Sequence, residues 1–120
     1  GWGRAVWSPV ASGSGVVQRG VFGPVLTFQT FVDEDEAVAL AKSTAYGLSA
    51  TLFTGSADRA ERVGSALRAG TTWVNCFLVR DLTAPFGGLG ISGLGREGGD
   101  HALEFHADLK TLQIKDDTTT

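Results

Sequence analysis

A glycine-rich stretch, TAPFGGLGISGLGREGG, fills positions 83–99 and fits the pattern G-x-G-x-x-G twice, first from Gly88. Such a loop binds a dinucleotide pyrophosphate when a strand leads into it, a helix opens on it and an acid ends the next strand. Here Pro85 interrupts any preceding strand. Asp108, the acid at about the right spacing, would begin the following strand instead of ending it. The stretch therefore predicts a compact turn, in which glycine permits positive φ angles and close backbone contacts.

The sequence has one thiol, Cys76, and two imidazoles, His101 and His106. A catalytic thiol is activated by a cation, a helix N-terminus or an adjacent base, and Cys76 has no histidine close to it in the sequence. We therefore predict a buried or pocket-wall thiol at Cys76 and assign no catalytic residue. Glu97, His101 and His106 do not complete the ligand set of a metal-binding helix. The pattern predicts a solvated helix face and no metal site, and Arg96 and Glu97 are expected to tie the turn to the neighbouring sheet.

The composition is that of one globular domain without a strongly charged surface. The chain has 120 residues, 42% hydrophobic residues, 19% charged residues and a net charge of −3. This balance gives no basic field for nucleic acid, and no apolar run reaches the ~18 residues that span a membrane. A single cysteine fits a reducing compartment. We expect a cytoplasmic protein whose partners include neither nucleic acid nor a membrane.

Two helices with recognisable start signals are predicted in the middle of the chain. Asp33 is a candidate N-cap, with Glu36 three residues later as in a capping box. Ser56 is the candidate cap of the second helix, on which Val63 belongs to the inward-facing stripe. Gly70 is its predicted stop.

Strand-type segments at 24–31, 48–55 and 71–77 alternate with these helices. Each crossover is long enough for parallel pairing. The fold class is therefore predicted as α/β, with a β-α-β-α-β unit forming a three-stranded parallel sheet and both helices on one face.

The two ends of the chain carry weaker signals. Residues 1–19 are rich in glycine and serine and predict an irregular segment, with a short strand at 15–18. A short helix near 100–107 and an alternating strand at 109–115 should follow the glycine stretch. Residues 116–120 predict a flexible tail.

Several motifs then occur in order: FGPVL, YGL, AGTTWVN, PFGG, SGLGREGG and LKT. Together they resemble the C-terminal part of the NAD(P)-dependent aldehyde dehydrogenase superfamily, over about positions 20–115. The stretch WVNCFLVRDL is most similar to the branch that acts on muconic semialdehydes. Residues 1–19 resemble the family poorly.

The resemblance implies a cofactor site whose main parts lie elsewhere. In the family, the dinucleotide-binding domain, the nucleophilic cysteine and the general-base glutamate lie mostly upstream of this region. Phe22 would pack near the nicotinamide of NAD(P). Gly20 stands where the family usually has a glutamate that hydrogen-bonds the ribose, and such a bond contributes about 1.5 to 3 kcal/mol. For this chain alone we expect no bound cofactor and no activity.

The same resemblance places the loop NCFLVRDLTAPF at the substrate entrance. Phe86 would form an aromatic wall there, and Cys76 would lie in the pocket wall. Arg80 would pair with a substrate carboxylate, which suits the planar guanidinium. The alternative is a surface salt bridge from Arg80 to Asp81 or to another nearby acid.

Three hypotheses follow for the protein. It is a piece or truncated member of an aldehyde dehydrogenase, whose reaction would be oxidation of a semialdehyde to the acid. Alternatively, it is an inert module that keeps the family's oligomerisation surface, or half of a split enzyme whose other half is a second chain. By family resemblance, residues 109–115 would pair with a neighbouring subunit and form a homo-oligomer.

Overall fold

The computed structural model describes residues 3–115, so the predicted tail at 116–120 lies outside the described residues. Within these residues, four strands and four helices alternate, and a 3-10 turn at Gly90–Ser92 separates the last strand from the last helix. In chain order they are β1 (Ala5–Trp7), α1 (Gly15–Arg19), β2 (Val25–Thr27), α2 (Glu34–Ala41), β3 (Ser49–Leu52), α3 (Ala57–Ala66), β4 (Thr71–Val74) and α4 (His101–His106).

The strands form two separate parallel pairs. β1 pairs with β2, with Ala5 opposite Val25, and β3 pairs with β4, with Ser49 opposite Thr71. The α/β class with parallel strands is thus confirmed, but the pairing differs from the predicted single three-stranded sheet. The strand predicted at 24–31 pairs with β1, which is too short and too close to glycine and serine for its periodicity to be recognised.

The central helices begin where their caps predict. The Asp33 carboxylate accepts a hydrogen bond from the Glu36 amide at 2.8 Å, and the Glu36 carboxylate accepts one from the Val32 amide at 2.7 Å. The Ser56 hydroxyl accepts a hydrogen bond from the Arg59 amide at 3.3 Å. These bonds satisfy amides that the first turn leaves unpaired.

The predicted irregular segment at 1–19 instead contains β1 and α1, so the prediction there was wrong. Valines at 16 and 17 favour a strand, and this led to the predicted strand at 15–18. In the structure the side-chain amide of Gln18 donates to the carbonyl oxygens of Ser12 and Ser43, at 2.7 and 3.0 Å. Contacts that span the sequence thus hold a helical turn that local preference does not indicate.

The C-terminal region agrees with the prediction in its helix but not in its strand. α4 matches the helix expected near 100–107. Residues 109–115 form no strand, and no strand of residues 3–115 pairs with them. A strand exists only where a neighbouring backbone completes its hydrogen bonds. Alternation in the sequence therefore could not predict a strand within this chain.

The hydrophobic core is small and lies between α3 and the β3–β4 pair. Val63 is 7% exposed and is the only buried hydrophobic side chain among the described residues. The chain after β4 leaves this core and carries Arg80, Phe86 and Glu97.

Candidate functional site

The end of β4 is fixed by Asn75, which follows the strand directly. Asn75 has a positive φ of 55°. Its side-chain oxygen accepts a hydrogen bond from the Thr54 amide, and its side-chain nitrogen donates to the Thr54 carbonyl, each at 2.8 Å. The carboxyl ends of β3 and β4 are therefore tied together, and the chain turns sharply out of the sheet.

The loop that follows folds back onto β4. The indole nitrogen of Trp73 donates a hydrogen bond to the Val79 carbonyl at 2.8 Å. The Phe77 ring packs edge-on against the Trp73 ring, with 5.8 Å between the ring centroids. Both contacts hold the backbone immediately before Arg80 against the sheet.

Arg80 is held on two sides. Its NH2 nitrogen donates to the Glu97 carboxylate at 2.6 Å. The central carbon of its guanidinium lies 4.8 Å from the centroid of the Phe86 ring, within the range of a cation–π interaction. Phe86 and Glu97 are themselves paired by two backbone hydrogen bonds, at 2.7 and 2.8 Å. The two groups that contact Arg80 are thus fixed relative to each other.

A cavity of about 180 Å³ lies beside this cluster. Thr71 and Trp73 contribute one wall from β4, and Arg80, Pro85 and Phe86 contribute another from the loop. The cavity therefore combines aromatic surface with the Arg80 cation, and the Asp81 carboxylate also lines it. Such a combination suits a ligand that has an apolar body and a negatively charged end.

Asp81 does not pair with Arg80. Its carboxylate accepts hydrogen bonds from the Thr83 hydroxyl at 2.7 Å and from the Thr83 amide at 2.9 Å. These bonds, led by that from the hydroxyl, hold the pKa of the Asp81 carboxyl below its usual value. The Asp81 carboxylate is therefore bonded within its own turn. The salt bridge that was predicted as the alternative for Arg80 forms with Glu97.

The other predicted site residues lie apart from this cavity. Phe22 is 99% exposed, and it lines a different cavity together with Tyr46 and Leu67. Cys76 is half-buried and does not line the cavity beside Arg80. Gly20 has a φ of 64°, in the left-handed region that disfavours other residues. The structure thus brings together Arg80 and Phe86 but not Phe22 or Cys76.

The glycine stretch forms the compact turn that its surroundings predict. The Arg96 guanidinium donates to the carbonyl oxygens of Gly88 and Gly95, at 2.9 and 2.6 Å. A Cβ atom on Gly98, which has a φ of 87°, would lie 2.6 Å from the Ala84 carbonyl oxygen. A dinucleotide loop requires a strand that leads directly into its glycines. No described strand leads directly into these glycines.

Residues 3–115 offer neither a metal site nor a membrane-spanning helix. They contain no group of three histidine, cysteine, aspartate or glutamate side chains that could hold a metal ion. None of the helices among them has the length and hydropathy needed to cross a membrane.

Sequence reasoning did not single out Glu97 as the partner of Arg80. The two residues are 17 positions apart, and only the strand-like pairing of Phe86 with Glu97 brings them together. The Asp81–Thr83 contact had a usable signal, because aspartate commonly bonds groups two residues further along in a turn.

A protein-family model described as "Aldehyde dehydrogenase family" matches residues 5–112. The chain belongs to the aldehyde dehydrogenase family. The match begins at residue 5, ahead of position 20, where the recognisable motifs start. The first residues therefore resemble the family better than their motifs indicated.

Relatives of this chain include enzymes of the muconic semialdehyde branch. It is 47% identical over 110 residues to a 2-hydroxymuconic semialdehyde dehydrogenase of Pseudomonas sp. (strain CF600), covering 92% of this chain and 23% of the relative. It is 43% identical over 108 residues to a 2-aminomuconic semialdehyde dehydrogenase of Danio rerio, covering 90% and 22%. The chain thus spans less than a quarter of the length of these two relatives.

Solved structures of the family share the fold of this chain over the aligned residues. A mutant of the P. syringae indole-3-acetaldehyde dehydrogenase, in complex with NAD+ and IAA, superimposes with a TM-score of 0.84 at 40% identity. The aldehyde dehydrogenase KauB from Pseudomonas aeruginosa superimposes with a TM-score of 0.82 at 40% identity. The alignments cover 92% and 88% of this chain, and 22% and 21% of the solved chains.

Proposed function

We propose that this chain carries the part of an aldehyde dehydrogenase that recognises the carboxylate of a semialdehyde substrate. The observation that carries the proposal is the fixed guanidinium of Arg80 beside an aromatic-walled cavity. The semialdehyde of a dicarboxylic acid has an aldehyde at one end and a carboxylate at the other. A cation near Phe86 would bind the second end and so direct the aldehyde away from the loop.

The reaction itself would be oxidation of the aldehyde to the acid, with hydride transfer to NAD(P). No residue of this sequence is assigned as its nucleophile or general base. In the proposed division, other parts of an aldehyde dehydrogenase carry out the chemistry. Arg80 and Phe86 contribute binding and orientation, which lower the barrier when they hold the reacting groups close to the geometry of attack.

The residues of this chain fit a nicotinamide cofactor only in part. Phe22 offers an open aromatic face. Gly20 has no side chain to accept a hydrogen bond from a ribose, and its φ of 64° would strain a glutamate placed there. Contact with NAD(P) through this chain is therefore proposed for Phe22 alone.

The cellular location and the self-association of the protein are also proposed. A single cysteine supports a reducing, cytoplasmic location. The exposed apolar side chains of Leu109, Leu112 and Ile114 support self-association through residues 109–115.

A chimeric enzyme tests the role of Arg80. This segment would replace its equivalent in a muconic semialdehyde dehydrogenase, and kcat/KM would be measured with a carboxylate-bearing semialdehyde and with a neutral aldehyde. We expect Arg80→Gln to lower kcat/KM for the first substrate about 10- to 150-fold, because a hydrogen bond to a charged group contributes about 1.5 to 3 kcal/mol. The value for the neutral aldehyde should change little.

Two controls accompany this measurement. Lys42→Gln removes an exposed cation that lines neither this cavity nor the one beside Phe22, and it should leave both values near those of the parent. The 120-residue chain alone should give no NADH above the blank. Equal losses for both substrates in Arg80→Gln would contradict carboxylate recognition.

A further inference from the structure

Glu97 leaves part of the Arg80 guanidinium free. A guanidinium has five N–H donors, arranged so that a carboxylate can bind along one edge through two of them. Among the described contacts, Glu97 accepts from the NH2 nitrogen of Arg80 and from no other nitrogen of that side chain. An edge that includes the Nε or NH1 nitrogen is therefore open to a second carboxylate.

The position of Glu97 is fixed by backbone and not by its contact with Arg80. The Phe86 amide donates to the Glu97 carbonyl at 2.7 Å, and the Glu97 amide donates to the Phe86 carbonyl at 2.8 Å. The ring that faces the guanidinium and the carboxylate that binds it thus come from one backbone-paired unit. The guanidinium is held in one orientation before any ligand arrives, so less freedom is lost on binding.

Glu97 also balances the charge of Arg80. The pair carries no net charge, and the Asp81 carboxylate lines the same cavity. A ligand carboxylate on the open edge would therefore add to a negative charge that is already present. The side chains of Arg80 and Glu97 are 49% and 57% exposed, so water and salt weaken this repulsion without removing it. Glu97 should therefore orient Arg80 and at the same time reduce its attraction for anions.

From this arrangement we propose that Glu97 is a positioning and specificity-determining residue for carboxylate binding at Arg80. It holds the guanidinium for a ligand that meets the open edge, and its negative charge keeps binding of other anions weak. This inference rests on the proposed function, in which Arg80 binds a substrate carboxylate.

Titration of the full 120-residue chain with sodium acetate tests the inference. The Arg80 side-chain nitrogen signals would be followed by NMR with isotope-labelled arginine, and acetamide would serve as the uncharged probe. We expect acetate, and not acetamide, to shift the Arg80 signals of the parent chain. Glu97→Gln keeps an oxygen acceptor but removes the charge, so acetate should bind about threefold more tightly. This gain should disappear at about 1 M salt.

A second variant separates positioning from charge. Glu97→Ala removes both the charge and the acceptor, so acetate should bind it more weakly than it binds Glu97→Gln. Asp58→Asn, which removes an exposed carboxylate on α3, should behave like the parent.

The outcomes distinguish this inference from the proposed function. If acetate leaves the Arg80 signals of the parent chain unshifted, Arg80 does not bind carboxylates, and both ideas are overturned. If acetate binds the parent but Glu97→Gln binds no tighter, only the charge role of Glu97 is overturned. Equal affinities for Glu97→Gln and Glu97→Ala would overturn the positioning role.

Discussion

Gly98 supports the site from one residue beyond Glu97. Its φ of 87° lies where only glycine is unstrained, and a Cβ atom there would lie 2.6 Å from the Ala84 carbonyl oxygen and 3.2 Å from that of Leu82. The backbone therefore passes close to the loop that carries Arg80 and Phe86. This close passage brings Glu97 within reach of Arg80.

Gly98→Ala should consequently destabilise the protein by about 1 to 3 kcal/mol, the usual cost of a residue held in a sparsely populated backbone region. The matched control is Gly55→Ala, because no atom lies within 4 Å of a Cβ placed on Gly55. It should change the stability by less than about 0.5 kcal/mol. Denaturant unfolding of the parent and both variants measures these differences, and equal stabilities for the two variants would show that the strain is absent.

At the scale of elements, an ion pair joins the start of α2 to α3. The Arg62 guanidinium donates to both carboxylate oxygens of Glu34, at 2.6 and 2.9 Å, and Arg59 donates to Glu34 at 3.2 Å. The hydrogen bond from Arg62 is the main cause that holds the pKa of the Glu34 carboxyl below its usual value. The two helices are thus fastened at exposed positions beside the small core.

This pair predicts a dependence of stability on pH. Since the folded state lowers the pKa of Glu34, its stabilising contribution is complete above the unfolded value of about 4.3 and is lost as the pH falls through the lower folded value. The free energy of unfolding should therefore fall less steeply below pH ~4 in Glu34→Gln than in the parent. Unfolding curves at several pH values measure this slope.

Glu61→Gln is the control for that experiment, because Glu61 lies on α3 and forms no ion pair among the described residues. It removes a carboxylate without removing a pair, so its slope should match that of the parent. If Glu34→Gln had the same slope as the parent, the ion pair would make no contribution in solution.

Local sequence predicted the elements that carry their own signals. Asp33 and Ser56 mark the starts of α2 and α3 because a cap depends on residues within one turn. β1 and α1 were missed because their pairing depends on residues far along the chain, such as the Ser43 carbonyl that accepts from Gln18. The site residues differ in the same way. Arg80 and Phe86 were predicted by resemblance to the family, whereas the contact of Glu97 with Arg80 depends on the backbone pairing of Phe86 with Glu97.

At the scale of the whole molecule, the chain is extended for its length. Its radius of gyration is 20.9 Å, against about 14 Å for a compact domain of this size. Its largest dimension is 80 Å, and many large apolar side chains remain exposed, including Leu109 at 92%. An open apolar surface of this extent favours association.

Self-association through residues 109–115 stays a prediction with a specific test. Leu112→Pro removes an amide that a paired strand would use, and it should shift the protein towards the monomer in light scattering at tens of micromolar. Leu112→Ala keeps the amide and should associate more than the proline variant. A monomeric parent chain would refute self-association, and an unchanged oligomer in Leu112→Pro would refute the role of this segment.

The hydrogen bond between Trp73 and Val79 has an optical consequence. The emission of an indole depends on its hydrogen bonding and on the polarity around its ring, and Trp73 lies in the wall of the cavity beside Arg80. A ligand that moves the loop would change the surroundings of this ring. The protein thus has a built-in fluorophore beside its candidate site, and a Trp73→Phe variant would identify its share of the signal.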